Sequence, residues 1–142
     1  MKILSVDFGD ARTGLAVCDP AELLASPVGV IHERHMERVL EKTAAVAKES
    51  GAQKIVVGLP LNMNGSEGPR AELCREFAGQ LAALSGIETI LWDERRTTVT
   101  AAAYLNDTDT RGKKRKAVID EVAAVVILES YLGWRRNHLD VS

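Results

Sequence analysis

The amino-acid sequence predicts an α/β fold, a five-stranded mixed sheet flanked by helices on both faces. Two observations lead there. Near the beginning, three short apolar runs stand close together with no helical pattern between them. Farther along, such runs alternate with segments whose apolar residues recur every three or four positions. Strands that follow one another closely form antiparallel meanders, whereas strands separated by helices form parallel crossovers.

Each element has a local reason. Residues 3–8 are a compact strand ended by Gly9, and Gly9 to Arg12 supply a turn into a second strand at 13–18. Pro20 biases Asp19 away from helix and stops that strand. A third strand is expected at 28–31. Met36, Val39, Leu40, Thr43, Val46 and Ala47 form the stripe of a first helix, which Gly51 closes. Residues 54–58 read as a strand, and 62–68 are loop chemistry throughout. Pro69 suits the first turn of a second helix with its stripe on Leu73, Cys74, Phe77, Ala78, Leu81 and Leu84, closed by Gly86. A strand at 87–92 runs into Asp93 and Glu94. Thr97 or Thr98 is expected to cap a short helix to about residue 105. A basic loop at 106–116 then leads to a last helix at 118–132.

The 142 residues fit one domain, 1–142. The net charge of −2 speaks against a surface that grips polyanions over its whole area, so any such site is local. Residues 111–116 hold five cations in six positions, and Arg95-Arg96 and Arg135-Arg136 add two pairs. Cys18 and Cys74 lack metal-ligand spacing and read as reduced structural thiols. No apolar stretch approaches the roughly 20 residues of a membrane span. A cytoplasmic location and no membrane partner are expected.

Three acids stand out. Asp7 ends a strand that otherwise reads as buried, where a carboxylate must be paired, hydrogen-bonded or metal-bound; it can equally serve the turn before Gly9. Glu94 follows a strand at its carboxyl end, where open α/β sheets bind ligands, although a solvated pair with Arg95 or Arg96 also explains it. Asp120 lies near the start of the last helix, in phase with Ala123, Ala124 and Ile127; the helix dipole alone favours an acid there. Brought together, the three would repel unless a cation compensates, and Mg²⁺ or Mn²⁺ accepts such oxygen ligands. His32, His35 and His138 are scattered and offer no zinc site.

Four blocks carry a resemblance: 7–17 (DFGDARTGLAV), 57–65 (VGLPLNMNG), 93–98 (DERRTT) and 116–124 (KAVIDEVAA). In this order they resemble the YqgF, or RuvX-like, family over nearly the whole chain. The resemblance implies a ribonuclease H-like fold related to that of the RuvC resolvases. It also implies a nuclease role in maturing the 5′ end of the small-subunit ribosomal RNA precursor. The family's acids fall on Asp7, Glu94 and Asp120, as catalytic residues and metal ligands. Its glycine-rich turn falls on Gly9 and Gly14, and a basic position falls on Arg12. Ala11 stands where the family often has lysine, and Arg96 where an apolar residue is common.

The expected function is therefore a Mg²⁺- or Mn²⁺-dependent phosphodiesterase acting on structured RNA. Gly9, Arg12, Asn62, Asn64, Arg95, Lys113, Lys114 and Arg115 are the expected substrate contacts, the last three tracking phosphates from a mobile loop. Trp92 and Trp134 offer faces for base stacking, with core packing as the plainer reading of Trp92. A Holliday junction resolvase acting on branched DNA would use the same acids, as a symmetric homodimer. A non-catalytic RNA-binding ribosome-assembly factor would keep the fold without the chemistry. An ATP phosphate loop from Asp7 to Gly14 ranks last, because the chain is too short for the two domains that clasp a nucleotide.

Overall fold

The computed structural model describes the backbone of residues 1–96 and 112–139, and the side chains of residues 1–96 and 122–138. In chain order the elements are β1 (Ile3–Asp7), β2 (Arg12–Cys18), β3 (Ala25–His32), α1 (Met36–Ser50), β4 (Lys54–Leu59), α2 (Pro69–Ser85), β5 (Glu88–Asp93), a 3-10 turn (Glu94–Arg96) and α3 (Gly112–Leu139). The strands form one sheet in the order β3-β2-β1-β4-β5. β2 is antiparallel to both neighbours, while β1, β4 and β5 are parallel. The meander followed by parallel crossovers is thus the arrangement the sequence predicts. The carboxyl ends of β1, β3, β4 and β5 all reach the same edge of the sheet.

Strand alternation divides the core into two layers. Leu4, Val6 and Phe8 point to the face covered by α1 and α2, where they meet Val39, Leu40, Phe77 and Leu81. The rings of Phe8 and Phe77 stack 4.3 Å apart. Phe77 has no exposed surface, and its burial contributes about 2–3 kcal/mol. Ile3 points to the other face, with Val56, Trp92, Ile127 and Leu128. There the buried Ser5 hydroxyl donates to the carbonyl of Ala124 at 2.6 Å. Lys54, which pairs with Ile3, donates to the Tyr131 hydroxyl at 3.2 Å. With Ala124 beside Ser5 and Tyr131 beside Lys54, α3 runs antiparallel to β1.

The expected caps are present at both early helices. Gly51 closes α1 at φ 72°, and Gly86 closes α2 at φ 69°, in the left-handed conformation that glycine adopts without strain. Pro69 opens α2. Among the described residues no helix is long and apolar enough to cross a membrane.

Three boundaries differ from expectation. β3 begins three residues early and includes Pro27, which the sheet edge tolerates because β3 pairs only with β2. β4 runs one residue further than expected, to Leu59 opposite Asp93, so the loop starts at Pro60. α3 starts at Gly112 and ends at Leu139, well beyond the expected 118–132. Lysine and arginine are good helix formers, so the basic run at 113–116 continues the helix instead of forming a loop. The expected helix at 97–105 and the loop residues up to 111 lie outside the described residues.

Candidate active site

Asp7 is the last residue of β1, paired with Gly14 of β2. It shares a strand face with Ser5, the face covered by α3. Glu94 is the first residue after β5 and sits at the same sheet edge, one strand removed. The two acidic side chains are hydrogen-bonded to each other across β4. What lets them meet is Gly58 of β4, which lies between them. A Cβ at that position would collide with the Glu94 carboxylate and lie 2.7 Å from Ile127 Cδ1. The absent side chain is the opening into which Glu94 folds.

Burial pushes the Glu94 carboxyl above its usual range, and the neighbouring Asp93 charge adds to the rise. The hydrogen bond with Asp7 and the positive charge of Arg70 act in the opposite direction. A half-buried carboxyl of heightened proton affinity beside a second acid is a setting that a divalent cation can neutralise. Its donors are carboxylate oxygens, the ligand type that hard cations prefer. Among the described residues no third histidine, cysteine or acid completes a metal-binding group.

The third expected ligand, Asp120, lies on α3, and its side chain is outside the described residues. Its backbone position is one helical turn before Ala124. Because α3 runs antiparallel to β1 and Ala124 contacts Ser5, that turn lies at the Asp7 end of the sheet.

Arg70 was not legible as a site residue. It occupies the first turn of α2, where its guanidinium donates to the Asp10 carboxylate at 2.6 Å and to the Phe8 carbonyl. It also stacks over the Phe8 ring, 5.1 Å from its centroid. Arg70 thereby ties α2 to the turn that follows Asp7. A cation opposes the helix dipole at an N-terminus, and an arginine placed there against the dipole is the signal that could have marked it.

The expected substrate contacts divide. Gly9 is required by the β1–β2 turn, since a Cβ there would strike the Arg12 carbonyl oxygen. Arg12 begins β2 on the far side of that turn. The loop after β4 is a closed turn: Leu61 bridges Glu67, and the Asn62 amide N–H donates to the Ser66 carbonyl at 2.9 Å. The Asn62 side chain donates to Ser66 Oγ at 3.0 Å, and Asn64 Oδ1 accepts from the Ser66 amide at 3.0 Å and its hydroxyl at 2.6 Å. Both asparagines thus shape the loop. Arg95 grips Asp93 with Nε and Nη2, at 3.0 and 2.7 Å to Oδ2. That grip holds the Asp93 carboxyl below its usual range. Lys113, Lys114 and Arg115 lie on the first turns of α3, with side chains outside the described residues. Trp92 is packed, its indole N–H donating to Ser130 Oγ at 3.0 Å, while Trp134 is partly exposed and stacked on His138.

A family model described as "RuvX: Holliday junction resolvase" matches residues 1–133. A Carboxydothermus hydrogenoformans protein named "Putative pre-16S rRNA nuclease" is 40% identical over 138 residues, covering 97% of this chain and all of the relative. A protein of the same name from Pelotomaculum thermopropionicum is 44% identical, covering 93% of this chain and 86% of the relative. Among solved structures, Thermus thermophilus RuvC matches with a TM-score of 0.60 at 12% identity, covering 94% of this chain and 96% of that one. The fowlpox virus Holliday junction resolvase matches with a TM-score of 0.58 at 12% identity, covering 94% and 99%. At these identities the likeness concerns the fold, which is ribonuclease H-like.

Proposed function

The chain belongs to the RuvX family, and from that premise we propose that it is a divalent-metal-dependent endonuclease maturing the 5′ end of precursor 16S ribosomal RNA. The observation that carries this reading is the contact between Asp7 and Glu94 over the bare backbone of Gly58. A sheet has no structural use for two acids brought together at its edge, and keeping them there needs a glycine on the strand between.

Asp7, Glu94 and Asp120 are the residues that would hold Mg²⁺ or Mn²⁺. The chemistry such ions supply when bound is positive charge against the attacking and leaving oxygens of a displacement at phosphorus. The protein's own groups do the rest. Arg70, fixed by Asp10 and the Phe8 carbonyl, favours the ionised form of Glu94 and locks the turn that follows Asp7. Arg12 and Arg95 flank the acids from two sides of the sheet edge. Lys113, Lys114 and Arg115 supply further charge for the phosphate backbone. The role is that of a single domain, residues 1–142, working in the cytoplasm.

The family description also favours branched DNA as substrate, and the RuvC likeness keeps the fold compatible with it. The test is cleavage of a 5′-extended 16S precursor with Mg²⁺ or Mn²⁺ by the wild type and Asp7→Asn, with a four-way DNA junction in parallel. Metal-dependent cutting of the RNA, lost in the variant, is expected. Cutting of the junction alone, by a dimer, would transfer the assignment to a resolvase. RNA binding without cutting by either protein would leave a non-catalytic assembly factor.

A further inference from the structure

Beside the acid pair, on the β3 side of the sheet, lies an open cavity of about 370 Å³. The described residues lining it are Ala11, Arg12, His32, Glu33, Arg34 and His35. It forms where the β1–β2 turn meets the connection from β3 to α1, and the Glu33 amide donates to the Ala11 carbonyl at 3.1 Å to join the two walls. Arg12 and His32 are direct cross-strand partners, so they face each other across the β2–β3 pair. Both walls stand at the sheet edge that carries Asp7 and Glu94.

The charge of this cavity is uneven. Glu33 is its one acid among the described residues, and it is already saturated. Its Oε1 accepts from the Arg34 amide at 3.1 Å and the His35 ring at 3.2 Å, while Oε2 lies 3.8 Å from both Arg38 and Lys42. These contacts hold the Glu33 carboxyl down at about 2, with the His35 hydrogen bond the largest cause. By contrast, the exposed Arg34 guanidinium and His32 imidazole make no hydrogen bond or ion pair among the described residues. Arg34 and His32 thus present donors on one wall while the cavity's own acid is spent elsewhere, and Arg12 stands on the opposite wall.

We infer that this cavity is a cradle for backbone phosphates of the nucleic acid, gripping the strand to one side of the scissile bond through Arg34, His32 and Arg12. The phosphodiester is the fitting ligand because the lining offers a planar guanidinium fork and imidazole N–H groups, both suited to phosphate oxygens. The cradle lies beyond Arg12 from the acids, so a strand seated there runs past Asp7 and Glu94 towards the Arg95 side. The ligand class rests on the nuclease reading, but the cradle is tested by binding alone.

The experiment uses the full chain silenced by Asp7→Asn and a fluorescein-labelled stem-loop RNA with a 5′ single-stranded extension. Anisotropy titrations from 50 to 250 mM KCl compare this parent with Arg34→Ala, Arg34→Lys and a distant control, Lys48→Ala. Arg34→Ala should weaken binding about threefold to tenfold and lower the salt slope by about one, as the loss of one phosphate contact does. Arg34→Lys should recover most of the slope, and Lys48→Ala should change neither quantity. Equal effects of Arg34→Ala and Lys48→Ala would overturn the cradle and leave the nuclease reading standing. Failure of the parent to bind either this RNA or a four-way DNA junction would overturn both.

Discussion

Glu94 stores a conflict that can be measured. Its proton affinity is raised by burial in the folded chain, so ionising it costs stability once the pH climbs above the ordinary carboxylate range. Glu94→Gln should therefore melt at a higher temperature than the wild type at pH 7.5 in EDTA, and the gap should close below about pH 4. Adding Mg²⁺ should raise the melting temperature of the wild type and leave that of the variant unmoved. Equal melting temperatures in EDTA at pH 7.5 would contradict this account. Gly58 makes the complementary case. The methyl group of Gly58→Ala has nowhere to go between the Glu94 carboxylate and Ile127, and overpacking of this kind costs about 1–3 kcal/mol. Cleavage should fall much further than urea stability does, because the displaced group is Glu94 itself; unimpaired cleavage would show that the Asp7–Glu94 contact is dispensable.

Most elements announced themselves, and the reasons are local. Gly51, Gly86 and Pro69 punctuate α1 and α2 in sequence as they do in space. The stripes through Val39, Leu40, Phe77 and Leu81 name the buried faces. What could not be read was set by distant partners. Nothing near Pro27 tells that it sits on an outer strand with one neighbour, so β3 looked shorter than it is. The run at 113–116 reads as a solvated loop because its cations stand so close together, yet it forms part of α3. Asp7 and Glu94 were both legible, but their meeting over Gly58 depends on the β1-β4-β5 order and on the parallel register. Arg70 was missed because its partners, Asp10 and the Phe8 carbonyl, lie far away in sequence. At this scale the join between β1 and α3 is open to test. Ser5→Ala removes the buried hydroxyl that meets the Ala124 carbonyl and should cost about 1 kcal/mol in urea unfolding. No change would mean that apolar packing alone seats α3 on the sheet.

For the molecule as a whole, two acids clamp the outer connections. Glu22 accepts two hydrogen bonds from Arg135, at 2.6 and 3.2 Å, and this contact is the main reason its carboxyl stays below the usual range. Glu33 is lowered to about 2 by His35 and its other partners. Carboxyls depressed by folding contribute their stability above their unfolded values and lose it as the pH falls through the folded ones. The share of these two acids in the urea midpoint should therefore be lost as the pH falls below about 4.5. The decline should be shallower in Arg135→Ala/Glu33→Gln. Arg135→Ala alone should cost about 2 kcal/mol at pH 7, between the values for exposed and buried pairs. An acid decline as steep in the double variant as in the wild type would assign it to other groups.

The meeting of Asp7 and Glu94 also bears on when the molecule becomes dangerous. One acid is made almost first and the other only after β4, α2 and β5 have been strung out behind it. A chain still emerging during translation has the first acid but no partner for it, and no sheet edge on which to hold one. On the proposed reading of this pair, cutting power waits until β5 and Glu94 have been made, so a shorter nascent copy cannot injure the ribosomal RNA of the machine that is building it.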